Sequence, residues 1–156
     1  MSPLNQSLNQ IERSTFIRAP RSLVWRAITS ISEFCRWFST ETDEPAFRQG
    51  AAIKLRSTYP GPYYGKEFFV HIEEMVPEQT FSWRWHPAAP GEDVSAEPMT
   101  LVTFTLEDAE GGTRVTVTET GFDQLFAHRQ ARVLGQNEGG WKIQVASLER
   151  YCSEAA

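Results

Sequence analysis

Glu119 is the residue whose type and setting point most directly to chemistry. Residues two apart on a strand share a face, so Val115, Val117 and Glu119 form one row, an acid following two apolar side chains. Facing a cavity, that carboxylate would anchor the polar head group of a ligand, because apolar pockets carry few polar groups and use them to fix orientation. If strand pairing ends near Gly121, it would instead stand in water at the rim or pair with an arginine. The pattern allows both placements.

Other reactive side chains combine less well. His71, His86 and His128 fall on a strand, at a strand end and on a helix, without the short spacing that sets two ligands on one helical face. No metal site is expected. His71 alternates with Phe69 and Glu73, opposite Phe68, Val70 and Ile72, which puts it on an outer face. Cys35 and Cys152 lie in no nucleophile-elbow or phosphate-cradling motif and lack the paired spacing of zinc ligands, so they read as reduced structural thiols with no disulfide between them. Glu73-Glu74 and Glu107-Asp108 are strand neighbours that face opposite sides and make poor acid/base pairs. No catalytic residue and no cofactor is assigned.

Aromatic residues are the strongest signal. Trp83, Trp85, Phe104 and Trp141, with Val145 and Leu148, are candidate walls of a cavity; Tyr59 and Tyr63 are candidates for its mouth, with Glu119 as rim anchor. The same residues would equally build an ordinary core, since tryptophan and phenylalanine dominate small cores. Gly139-Gly140, each costing ~1 kcal/mol in a helix against alanine, suggests a close approach of backbone to packing or to a ligand.

These residues need elements to hold them. Ile11 to Arg18 is rich in β-branched and aromatic residues and stops at Ala19-Pro20, a first strand. Arg21 to Ser30 has helical apolar spacing after Pro20, and Ser32 reads as the N-cap of a second short helix carrying Phe34, Trp37 and Phe38. Ala51 to Thr58, Lys66 to Val76, Thr80 to His86, Met99 to Leu106 and Arg114 to Thr120 are strands separated by turn residues. From Asp123 the pattern is helical, interrupted near Gly135, with Trp141, Val145, Leu148 and Cys152 on one stripe. Strands followed by a closing helix make an α+β fold with a sheet of about six strands.

Composition narrows the function classes. The 156 residues suit one domain, residues 11–156, after a polar flexible arm of residues 1–10 that lacks the design of a signal peptide. A cytoplasmic location is expected. No apolar run nears the ~18 residues of a membrane span, and a net charge of −5 with scattered basic residues argues against nucleic-acid binding.

Several phrases, in order, resemble the START-like (SRPBCC, Bet v1-like) superfamily, and within it the homologues of the activator of Hsp90 ATPase. They are Ala19-Pro20 with Val24-Trp25, Trp37-Phe38, the Pro77 turn into Phe81-Ser82-Trp83, Thr118-Glu119-Thr120-Gly121-Phe122, and Gly139-Gly140-Trp141 before Leu148 and Tyr151. The resemblance, from about Ile11 to Tyr151, implies a helix-grip fold: a curved antiparallel sheet wrapped around a long C-terminal helix, enclosing a cavity for small hydrophobic or amphipathic molecules. It also implies two alternatives, a co-chaperone-like partner of an Hsp90-type ATPase and an enzyme of unknown reaction using the same cavity. The eukaryotic activators are larger and pair such a domain with another that grips the chaperone, and no segment here is left over to encode it.

Overall fold

The first and second strands of this chain lie at opposite edges of one sheet, and two helices make the crossing. The computed structural model describes residues 9–89 and 91–156. β1 (Gln10–Ile17) ends at Ala19-Pro20; α1 (Arg21–Thr29) and α2 (Ile31–Phe38) carry the chain over to β2 (Thr40–Glu41). Of the expected arm, residues 1–8 lie outside the described residues, and Gln10 is already paired with Thr120.

From β2 the chain returns through β3 (Ala52–Ser57), β4 (Glu67–Val76), β5 (Thr80–Trp85), β6 (Thr100–Ala109) and β7 (Gly112–Thr120). All pairings are antiparallel, in the order β1-β7-β6-β5-β4-β3-β2. The sheet thus has seven strands rather than about six. The additional one, β2, is two residues long and too short to leave a period-two signature. The sheet is curved and unclosed, and the register shift between Ile72 and Glu74 is a bulge of the kind that bends a strand.

The concave face is set by alternation. Pairing brings Phe81 opposite Phe104, Trp83 opposite Val102, and Phe104 opposite Val117, all buried. Against them α2 lays Phe34, Trp37 and Phe38, and Trp37 satisfies its buried indole N–H by donating to the Ala27 carbonyl at 2.8 Å. α2 starts directly after Ser30, which takes the N-cap position expected of Ser32, and the Phe34 N–H bonds its carbonyl at 2.8 Å.

α3 (Gln130–Ala155) closes the structure over β1 and α2. Helix does not begin at Asp123: Phe122–Gln124 is a single 3-10 turn, and α3 then runs unbroken through Gly135, Gly139 and Gly140. Burial of Val133, Trp141, Val145, Leu148 and Cys152 along one stripe outweighs the ~1 kcal/mol that each glycine costs. Among the described residues no helix is long and apolar enough to cross a membrane.

The close backbone approach expected at Gly139-Gly140 occurs elsewhere. A Cβ on either of those glycines would meet nothing within 4 Å, whereas one on Gly112 would lie 2.1 Å from the Ile17 carbonyl oxygen. Gly112→Ala is therefore expected to destabilise by about 1–3 kcal/mol through forced backbone displacement. Gly135→Ala, where the space is open, should stabilise by up to ~1 kcal/mol. Urea-denaturation midpoints of the two variants check both signs.

Candidate functional site

Where the N-terminal half of α3 faces the β3–β5 side of the sheet, the two layers part around a cavity of about 560 Å³. α3 lines it with Val133, Gln136, Asn137, Gly139, Gly140, Trp141, Ile143 and Gln144. Phe38, Ser39 and Thr40 contribute from the end of α2, Ser57, Phe68 and Trp85 from the sheet, and His86 from just beyond β5. Tyr59, Tyr63 and Lys66, from the turn between β3 and β4, stand across from Pro87 and Ala88. The paired glycines leave this stretch of helix without side chains, so their cost in helix stability becomes cavity space.

Beneath the lining lies Glu119, which is 0% exposed. Its carboxylate accepts hydrogen bonds from Trp85 Nε1 at 2.8 Å, Trp141 Nε1 at 2.8 Å and Thr100 Oγ1 at 2.6 Å. Asn137 Nδ2 adds contacts of 3.0 and 3.2 Å to its two oxygens. Burying a carboxylate without such partners is prohibitively costly. Glu119 is thus neither a rim anchor nor a solvated strand end; it is a buried acceptor that fixes the edges of two tryptophans whose rings, 6.1 Å apart, line the cavity.

The residues singled out by sequence divide into two groups. Trp85, Trp141, Tyr59 and Tyr63 border the cavity. Trp83, Phe104, Val145 and Leu148 do not; they are buried behind it, Trp83 packing on Phe104 at 5.4 Å and edge-on to Phe34 at 5.8 Å. Trp83 and Trp141, although 6.3 Å apart, therefore do not share the cavity. Phe38, Phe68, Lys66, His86 and Asn137 also border it and were not expected there. Asn137 sits four residues before Trp141, on the same stripe, and Phe68 continues the Val70–Ile72 row, so those two carried a readable signal. Lys66 also continues that row, two residues before Phe68, whereas His86 carried no such signal, because it lies beyond the end of β5.

Polar chemistry at the mouth is sparse. The Lys66 ammonium donates to the Ala88 carbonyl at 2.7 Å and stands 5.9 Å from the Tyr63 ring centre; burial lowers its pKa. Burial likewise lowers the pKa of His86, whose Nδ1 is buried without a hydrogen-bond partner. His71 is half-buried on β4. No group of three or more His, Cys, Asp or Glu that could hold a metal exists among the described residues. Both cysteines are free, and burial pushes Cys152 up to about 12.

The segment joining β5 to β6, which supplies Pro87 and Ala88, is fastened to the start of α3 by charge. Arg129, 3% exposed, donates to the Pro87 carbonyl at 2.9 Å and to Glu92 at 3.2 Å, and pairs with buried Glu97. Glu97 also accepts the Phe126 N–H at 2.6 Å, while Glu92 accepts Arg132 at 2.6 Å. The Ala89 N–H, then Arg132 and Arg129, hold the Glu92 carboxyl down at about 2.

Two outcomes are expected from this geometry. Trp83→Ala removes a core side chain and should cost about 3–5 kcal/mol in urea denaturation. Glu92 has a folded pKa of about 2 against an ordinary 4.5, so its contribution is fully present above pH 4.5 and is lost as pH falls through 2. The stability of Glu92→Gln, followed by thermal melts across that window, should fall less steeply than that of the wild type.

Among solved structures, the chain is similar to protein MLL2253 from Mesorhizobium loti, with 20% identity and a TM-score of 0.75 over 94% of this chain and 98% of that one. It is similar to Aha1 from Colwellia psychrerythraea, solved as a dimer, at 18% identity and a TM-score of 0.70 over 92% and 96% of the two chains. DynU16, from the dynemicin biosynthetic locus, has 22% identity and a TM-score of 0.69 over 92% of this chain and 46% of its own. At these identities the likeness establishes the fold alone, the α+β helix-grip of a curved antiparallel sheet and a long C-terminal helix. No curated protein matches the chain. Residues 18–153 match the family described as Activator of Hsp90 ATPase homolog 1-like protein, and the chain belongs to that family.

Proposed function

We propose that the protein binds a small hydrophobic or amphipathic molecule in the cavity between the sheet and α3. One observation carries the reading: Trp85 and Trp141 line an open space of about 560 Å³ while Glu119 secures their polar edges below it. Its lining is mainly apolar and aromatic with a few polar groups, the character of small-molecule sites. Here the wall is prearranged, and apolar area is available to a guest at roughly 25 cal/mol per Å².

Catalysis has less support. The carboxylate beneath the cavity is already engaged by Trp85, Trp141, Thr100 and Asn137, which leaves it poorly free to move a proton. A regulatory contact with an Hsp90-type chaperone draws its support from the family description alone. Two free thiols, one of them buried, support the cytoplasm as the place of action, because thiols stay reduced there.

Nile red, an uncharged apolar dye, is a suitable probe. Its emission is expected to shift to the blue on mixing, tryptophan fluorescence to fall, and the melting temperature to rise. The native-state gain is ~2.7 kcal/mol at a hundredfold excess over Kd. Gly140→Leu places a side chain on a lining position with open space around its Cβ, and should weaken the dye tenfold or more while the protein stays folded. A dye that neither binds the wild type nor distinguishes this variant would overturn the reading.

A further inference from the structure

The chain carries 20 acidic residues against 15 lysines and arginines, yet the cavity wall has the opposite character. Among the described residues no Asp or Glu lines it, and Lys66 is the one lysine or arginine that does. The Lys66 ammonium forms no salt bridge among the described residues. It has three donors, and the Ala88 carbonyl takes one of them.

Among the described residues no carboxylate pairs directly with that cation. The carboxylate whose field reaches it, Glu92, is already held by Arg129, Arg132 and the Ala89 N–H. Arg129 opposes the ammonium with like charge. A partly desolvated cation with unused donors is a cost that an anionic guest would offset.

Resting on the binding reading above, we propose that the ligand is an amphipathic carboxylate, its acid group at Lys66 and its apolar body against Trp85, Trp141, Phe38 and Phe68. The opposite orientation is disfavoured, because Glu119 lies under the tryptophans and would repel a second carboxylate. The polar end of the guest therefore stays at the mouth and its apolar end enters.

Decanoate and 1-decanol share a chain and differ in head group, and each can be titrated as a competitor of Nile red at pH 7.5. Wild type is expected to bind decanoate at least tenfold more tightly than decanol. Lys66→Met should bring that ratio close to one, and Lys66→Arg should keep most of it. A lysine that only tethers the Ala88 segment would weaken both competitors alike in Lys66→Met, leaving the ratio unchanged. If Nile red binds but decanoate displaces it no better than decanol, the head-group assignment is overturned and the cavity reading stands. If Nile red itself does not bind, the cavity reading fails and this assignment fails with it.

Discussion

Two indole edges, a threonine hydroxyl and an asparagine amide converge on one buried carboxylate, and the cavity's geometry depends on that convergence. The donors come from different parts of the fold: Trp85 from β5, Thr100 from β6, Asn137 and Trp141 from α3. Glu119 on β7 therefore ties sheet to helix at the depth where the two layers begin to separate. An apolar residue there would leave two indole N–H groups buried without partners, each at a cost of about 1–3 kcal/mol. The acid lets large amphipathic rings stand at a cavity wall without collapsing into it.

The division of labour along α3 follows. Its C-terminal half buries Val145, Leu148 and Cys152. The stretch before it gives up packing: Gly139 and Gly140 present no side chain, and Gln136, Asn137 and Gln144 line the space, the last two with their amides bonded to Glu119 and the Phe38 carbonyl. One helix is thus both core element and lid. The buried Arg129–Glu97 pair at its start holds the adjoining segment, although the desolvation of such pairs makes them weak contributors to net stability.

Much of the architecture was legible because alternation and helical spacing are direct prints of burial. The Phe81, Trp83, Trp85 row and the Trp141, Val145, Leu148, Cys152 stripe could be assigned faces from spacing alone. Spacing cannot say how far along a face the core ends and an open space begins. Trp83 and Trp85 share a face, yet one is sealed among phenylalanines and the other borders the cavity. Glu119 was placed on the correct face but at the wrong depth, because its donors come from strands and a helix remote in sequence. β2 and the unbroken passage through Gly135 were hidden for the same reason, since tertiary contacts set them against weak local preference.

The pairing of β1 with β7 has a consequence for how the molecule is made. Gln10 meets Thr120 and Ile17 meets Thr113, so the first strand has no sheet partner until about three quarters of the 156 residues exist. During synthesis at ~5–20 residues per second, that strand waits for several seconds. α3, which packs on β1, comes later still. A chain whose opening segment closes on its last strand has high contact order, and the loop entropy is lost before the contacts that compensate for it form. The nascent chain therefore carries β1 unpaired, and Trp83 and Trp85 without Trp141, until the last elements are made, and an unpaired strand edge is what favours aggregation in such an interval.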